Sequence, residues 1–248
     1  LVGVWRDDES RIRRVVAVRP TDPDALLGLA DLLSSQGRDA EAAALIARAG
    51  TLAPEAAADV QVARASAEFR AGRLESALAA AELALRQRLG SPTSERSALA
   101  AGMIRVRALA RLGRTAEAVA AGEELRAQCP GEPVAQGALG AARFAAGDVA
   151  GALPLLRDAS ARLIEDAGLA WDLGRAAIAS GDLVLARTAF ERAVAGSPGF
   201  YEAWLGVADT RSRLGDAAGA VVALARAERL PAAADGRAAA LRARIEAR

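Results

Sequence analysis

The sequence contains no lysine, histidine or asparagine, and its single cysteine is Cys129. One cysteine excludes an internal disulfide framework and any metal site built from several cysteines. Histidine is the commonest metal ligand and general base, so both kinds of site lack their usual residue. The phosphate-binding loop GxxxxGK[ST] needs lysine, zincins need histidine, and the GxSxG motif does not occur. We therefore expect no catalytic residues, no metal and no cofactor.

Aromatic residues make up only 3% of the chain, and no apolar run approaches the ~18 residues of a membrane helix. The 32 basic residues, all arginine, balance 31 acidic ones. A net charge of +1 argues against an electrostatic nucleic-acid footprint. We expect neither a nucleic-acid partner nor membrane insertion. Oligomeric state is left open.

The composition and the first residue indicate the source and the extent of the chain. Arginine in place of every lysine, with asparagine absent, is typical of GC-rich codons and favours a bacterial source. The sequence begins at Leu1 and not at methionine, so we expect a piece of a longer chain. A targeting signal could belong to the missing part, which leaves cytoplasmic and periplasmic locations open.

Alanine is abundant, with 67 of 248 residues, and it recurs with a period close to 34. Six glycines mark equivalent turns, spaced by 35, 41, 34, 34 and 34 residues: Gly37, Gly72, Gly113, Gly147, Gly181 and Gly215. Alanine stands five residues after each glycine: Ala42, Ala77, Ala118, Ala152, Ala186 and Ala220. Twelve residues after the turn it recurs in five of the six units, and Leu125 is the exception. This period predicts an array of structural repeats.

Each repeat has the pattern of a helical hairpin. Before the turn, apolar residues such as Leu29 and Leu33 fall at helical spacing. After it, a second helix carries alanine, a bulky residue and alanine on one face, as in Ala186, Phe190 and Ala193. The turn glycine suits a left-handed helix end, and aspartate follows it as a predicted N-cap in three repeats: Asp148, Asp182 and Asp216.

Two stretches, AWDLGRAAIASGDLVLARTAFERAVAGSP and EAWLGVADTRSRLGDAAGAVVALARA, resemble the tetratricopeptide repeat. They share its 34-residue period, its Trp/Leu-x-x-Leu-Gly/Ala start and its paired alanines, and the first also has the terminal proline. Units two and three depart from the pattern, since Arg64 and Arg105 stand where it has a core leucine. The resemblance implies an all-α fold, a right-handed α-solenoid of antiparallel helix pairs.

The resemblance also divides the chain. We expect six repeats over residues 21–231, preceded over 1–20 by the second helix of an earlier or capping repeat. Residues 232–248 are expected to form a C-terminal capping helix. Leu241 and Ile245 stand where the first helix of a seventh unit would place apolar residues.

In this family the first helices line a concave groove that binds peptides or folded partners. The resemblance implies a partner-binding groove that includes these residues: Arg107, Arg111, Val134, Phe144, Trp171, Arg175 and Ile178. Its fourth-repeat stretch is uncharged and flanked by arginines, which predicts a partner with an apolar anchor beside acidic residues. The competing interpretation is that small side chains there only let neighbouring repeats pack closely.

These features favour a non-catalytic protein–protein interaction scaffold from a bacterial multi-protein assembly, and not an enzyme. The alternative is an accessory or substrate-recruiting segment of a larger enzyme whose catalytic domain lies outside this chain. A third interpretation, polysaccharide binding, is less favoured because few aromatic residues cluster.

Overall fold

The computed structural model describes residues 2–54, 57–87, 94–230 and 236–246. These residues form fourteen α-helices and no strand: α1 (Val2–Val18), α2 (Pro23–Ser35), α3 (Asp39–Leu52), α4 (Ala57–Arg70), α5 (Leu74–Gln87), α6 (Ser94–Arg111), α7 (Thr115–Gln128), α8 (Pro133–Ala145), α9 (Val149–Arg162), α10 (Ala167–Ser180), α11 (Leu183–Gly196), α12 (Tyr201–Arg213), α13 (Ala217–Ala227) and α14 (Arg237–Glu246). The expected all-α fold of helix pairs is confirmed. Within the described ranges, no helix is both long and apolar enough to cross a bilayer.

The chain divides into two compact units, residues 1–130 and 131–248. In the first unit, α1 is followed by the pairs α2–α3, α4–α5 and α6–α7. In the second, the pairs α8–α9, α10–α11 and α12–α13 are followed by α14. Within each unit a helix packs against the helices one or two places away in sequence, which is the arrangement of stacked helical hairpins.

The six turn glycines all adopt a positive φ, between 76° and 86°. At Gly181, the amide donates to the carbonyl of Ile178 (3.1 Å), and the amide of Asp182 donates to that of Ala177 (2.9 Å). This hydrogen-bonded turn ends the first helix where a side chain would be strained. The turns of the second and third repeats, at Gly72 and Gly113, have the same conformation as the other four.

The N-caps of the second helices differ between the two units. In the second unit, the three predicted caps are confirmed: Asp148, Asp182 and Asp216 accept from amides three residues ahead at 2.8–2.9 Å. In the first unit, Arg38 and Arg114 hold the equivalent position and form no side-chain cap. Their guanidinium groups bind the carboxylates of Glu41 and Glu117, three residues further on.

Buried alanines fix the contact between the helices of each pair. The alanine five residues after the turn is fully buried in all six repeats. Leu125, which replaces the second alanine in the third repeat, is buried as well. It faces Gly102 on α6, where a Cβ atom would collide with the leucine side chain. Leu125 therefore fits because Gly102, opposite it on α6, has no side chain.

The two arginines that depart from the repeat pattern are accommodated outside the core. Arg64 is exposed, and Arg105 is half-buried with its guanidinium 2.9 Å from Glu124. The following residues, Ala65 and Val106, are buried and take part in the packing. The core of these two repeats thus lacks the leucine that the family pattern contains at this point.

Candidate partner-binding site

A cavity of about 630 Å³ opens in the second unit beside the first helices α10, α12 and α14. Its floor is mainly apolar, and it includes Phe144, Trp171, Ile178 and Leu205. Charged side chains from the same three helices also line it. The cavity therefore combines an apolar surface of several side chains with a polar margin, as ligand sites in proteins commonly do.

Aromatic rings pack against one another in the floor. The ring of Trp171 lies 5.2 Å from that of Phe190 and 5.4 Å from that of Phe200, in tilted geometry. Phe190 is almost fully buried, and it packs between Gly174 of α10 and Gly206 of α12. Because neither glycine leaves room for a Cβ atom, the ring position is fixed by backbone on both sides.

Arg175 places a positive charge on this apolar floor. Its guanidinium lies 4.8 Å from the ring centre of Phe144 and 5.9 Å from that of Trp171, within cation–π range. Its ion pair with Asp172 is long, at 3.9 Å. A guanidinium that stacks on a ring still presents its in-plane N–H groups, which suit a carboxylate.

Helix α14 supplies the opposite wall, including Leu241 and two arginines. Arg237 donates to Glu202 at 2.9 Å, and Arg244 binds Asp209 at 2.5 Å. Both carboxylates belong to α12, so the two ion pairs join α12 to α14 at the margin of the cavity. The negative charges of the margin are therefore balanced by neighbours within the unit.

The predicted groove residues fall in different places. Phe144, Trp171, Arg175 and Ile178 come together in the cavity. Val134 lies half-buried in the first turn of α8 and does not line it. The remaining two residues, Arg107 and Arg111, belong to α6 of the first unit.

Arg107 and Arg111 lie one helical turn apart on α6. The guanidinium of Arg111 stacks on the ring of Phe69 at 5.0 Å. In the part of the chain that the structure describes, neither arginine forms an ion pair. Other arginines do, for example Arg70 with Asp31 and Arg105 with Glu124. The first unit therefore has a local excess of positive charge on α6.

Sequence reasoning did not assign Glu202, Arg237 or Arg244 to the candidate site. Extending the repeat period by one unit could have found the α14 residues, because Leu241 stands where the first helix of a seventh repeat would have an apolar residue. The structure describes no group of histidine, cysteine and acidic residues that could hold a metal ion.

Helix pairs joined by one repeated glycine turn define the class of helical-repeat proteins. Profiles of the tetratricopeptide repeat match residues 9–57, 62–133, 138–199 and 177–245. The chain belongs to the tetratricopeptide repeat family. No curated protein sequence matches it.

Several solved structures share the fold. A chain of the APC/C hetero-tetramer Cut9-Hcn1 matches with a TM-score of 0.74 and 16% identity, over 93% of this chain and 46% of that one. PilW, a type IV pilus biogenesis factor, matches at 0.62 and 19%, over 83% and 92%. TTC0263, a TPR protein of Thermus thermophilus, matches at 0.59 and 21%, over 77% and 98%. This chain thus spans about half the length of the Cut9-Hcn1 chain.

Proposed function

We propose that this chain is a non-catalytic scaffold that binds a peptide or protein partner on the face formed by its first helices. The observation that carries the proposal is the cavity with its apolar floor and stacked Arg175. Tetratricopeptide repeats are typically non-catalytic interaction modules, which supports the same role. The bacterial neighbours and the arginine-rich composition favour a bacterial multi-protein assembly.

The chemistry of the surface defines the partner. An apolar side chain of the partner fits the aromatic floor, and a neighbouring carboxylate fits Arg175. Arg107 and Arg111 of the first unit are proposed as further contacts for acidic residues. Tryptophan and arginine dominate binding hot spots, and both stand at the cavity.

Random peptides displayed on phage and selected on the immobilised chain test this proposal. We expect the selected peptides to share an aromatic or aliphatic residue beside aspartate or glutamate. A synthetic peptide of that sequence should bind the wild-type chain. Phe144→Ala and Arg175→Gln should each weaken binding. The first substitution removes an apolar side chain from the floor of the cavity, and the second removes the positive charge. Replacing Arg107 and Arg111 together by glutamine should mainly slow association and reduce its salt dependence.

Matched controls separate binding from folding. Val222→Ala truncates an exposed apolar residue of α13 outside the cavity and should leave affinity unchanged. Arg86 and Arg126, exposed on the second helices α5 and α7, give a double glutamine variant of equal charge. Circular dichroism confirms that each variant is folded. Selected peptides without a shared composition, or undiminished binding by folded Phe144→Ala and Arg175→Gln chains, would contradict the proposal.

A further inference from the structure

We infer that helix α14 is a ligand-coupled wall of the cavity, so that the docked helix and a bound acidic–apolar peptide stabilise each other. The inference rests on the proposed function, because it requires an occupied cavity. It concerns a different property, namely which element of the fold responds when the peptide binds.

The first observation is where α14 lies. Its residues Arg237, Ala240, Leu241 and Arg244 line the cavity together with residues of α10 and α12. A side chain that fills the cavity therefore contacts α14 as well as the aromatic floor. When α14 moves away, the occupant loses one wall and its apolar surface returns to water.

The second observation is how α14 is attached. Three of its apolar residues are buried against the rest of the unit: Ala238, Leu241 and Ile245. The hydroxyl of Tyr201 accepts a hydrogen bond from the amide of Ala238 at 3.2 Å. The ion pairs of α14 are partly exposed, and such pairs contribute little to stability.

The packing of α14 points the same way. Within the described residues, α14 contacts α12 and α13 less extensively than those two helices contact each other, and most helical stability in proteins comes from tertiary packing. Its order therefore depends on docking. We expect α14 to open at a lower free-energy cost than the paired helices of the same unit.

The charges of the cavity select its occupant. Glu202 and Asp209 are each bound to an arginine of α14, so their charges are balanced. Arg175 has one long ion pair and lies on the apolar floor. The complementary occupant is a peptide segment with an apolar side chain beside a carboxylate. A second copy of this chain is the competing occupant.

Amide hydrogen exchange of residues 238–245, with and without a synthetic Asp/Glu–Leu/Phe peptide selected on the wild-type chain, tests the coupling. If the opened form of α14 does not bind the peptide, exchange slows by the factor 1 + [L]/Kd, where [L] is the free peptide concentration. At ten times Kd we expect exchange in α14 to slow about tenfold. Amides of α5 in the first unit serve as the internal control and should not change.

Two variants sharpen the result. Ile245→Ala removes buried apolar surface from α14, and Ile245 does not line the cavity. This variant should exchange faster in α14 without peptide and regain protection at saturating peptide. In the Arg175→Gln variant, the amides of α14 should exchange as in the wild type without peptide. They should gain little protection at the same peptide concentration, because the variant binds the peptide weakly.

The outcomes distinguish the two proposals. Peptide binding that leaves the exchange of α14 unchanged would overturn the coupling and leave the proposed function intact. A phage selection that yields no binding peptide would contradict the proposed function itself. Concentration-dependent self-association that is lost in Phe144→Ala would identify a second copy as the occupant and overturn the peptide assignment.

Discussion

Phe190 fills the space that two glycines leave on neighbouring first helices, Gly174 on α10 and Gly206 on α12. A Cβ atom on Gly206 would lie 2.8 Å from the ring, which is too close for carbon atoms in contact. The ring cannot turn away freely because Gly174 confines its other side. These glycines therefore serve helix packing, and the helix propensity that they sacrifice is outweighed by the fit of one large side chain.

We expect Gly206→Ala to destabilise the chain, whereas Gly28→Ala should stabilise it. Overpacking at Gly206 costs about 1–3 kcal/mol, which exceeds the gain of up to about 1 kcal/mol from helix propensity. Gly28 is exposed inside α2, and a Cβ atom there meets nothing within 4 Å. Its replacement should therefore add about 0.5–1 kcal/mol. Urea midpoints, measured by circular dichroism, show whether each variant is more or less stable than the wild-type chain. A shift of the midpoint in the same direction for both variants would refute this packing argument.

The buried alanines were predictable from sequence, but their compensating partners were not. Ala186 and Ala220 are fully buried because a fixed spacing from the turn places them on the same face in every repeat. The accommodation of Leu125 by Gly102 joins residues on two different helices. No periodicity identifies such a pair, because it arises in one repeat only.

Helix α1 is joined to the first helical pair through the carboxylate of Glu9. Arg13 donates to it at 2.7 Å and Arg38 at 2.8 Å. These hydrogen bonds, that of Arg13 above all, lower the pKa of Glu9 to about 2. A carboxyl group in an unfolded chain has a pKa of about 4.3. Because the folded pKa is the lower one, the stabilisation is complete above about pH 4.3 and is lost as the pH falls towards 2.

We therefore expect Glu9→Gln to flatten the acid dependence of unfolding. The urea midpoint of the wild-type chain should fall between about pH 4.5 and 2 by more than that of the variant, since the variant lacks this titrating group. The measurement is the urea midpoint at a series of pH values. Glu165→Gln is the matched control, because Glu165 forms no ion pair within the described residues. Equal pH profiles for wild type and Glu9→Gln would rule out this role of Glu9.

The candidate site was predictable to the extent that it follows the repeat frame. Phe144, Trp171 and Arg175 stand at first-helix positions, and the frame places them on one face. The wall formed by α14 was missed because its contacts are specific. Arg237 binds Glu202, which is 35 residues earlier, and local sequence does not predict that pairing.

Across the chain, each helix packs against near neighbours in sequence within its unit. In such arrays stability is approximately a sum of repeat terms and nearest-neighbour interface terms. A defect in one repeat should then lower the stability of its surroundings more than that of distant repeats. This expectation differs from the all-or-none unfolding of most small single domains.

Ala186→Leu tests this expectation. Ala186 is fully buried at the contact within the α10–α11 pair, so a leucine should overpack it at a cost of about 1–3 kcal/mol. We expect amide exchange to speed up in α10–α13, where opening becomes easier, and to stay unchanged in α2–α5. Hydrogen exchange followed by mass spectrometry resolves the two regions in one sample. An equal loss of protection in both regions would show that the chain opens as a single cooperative unit.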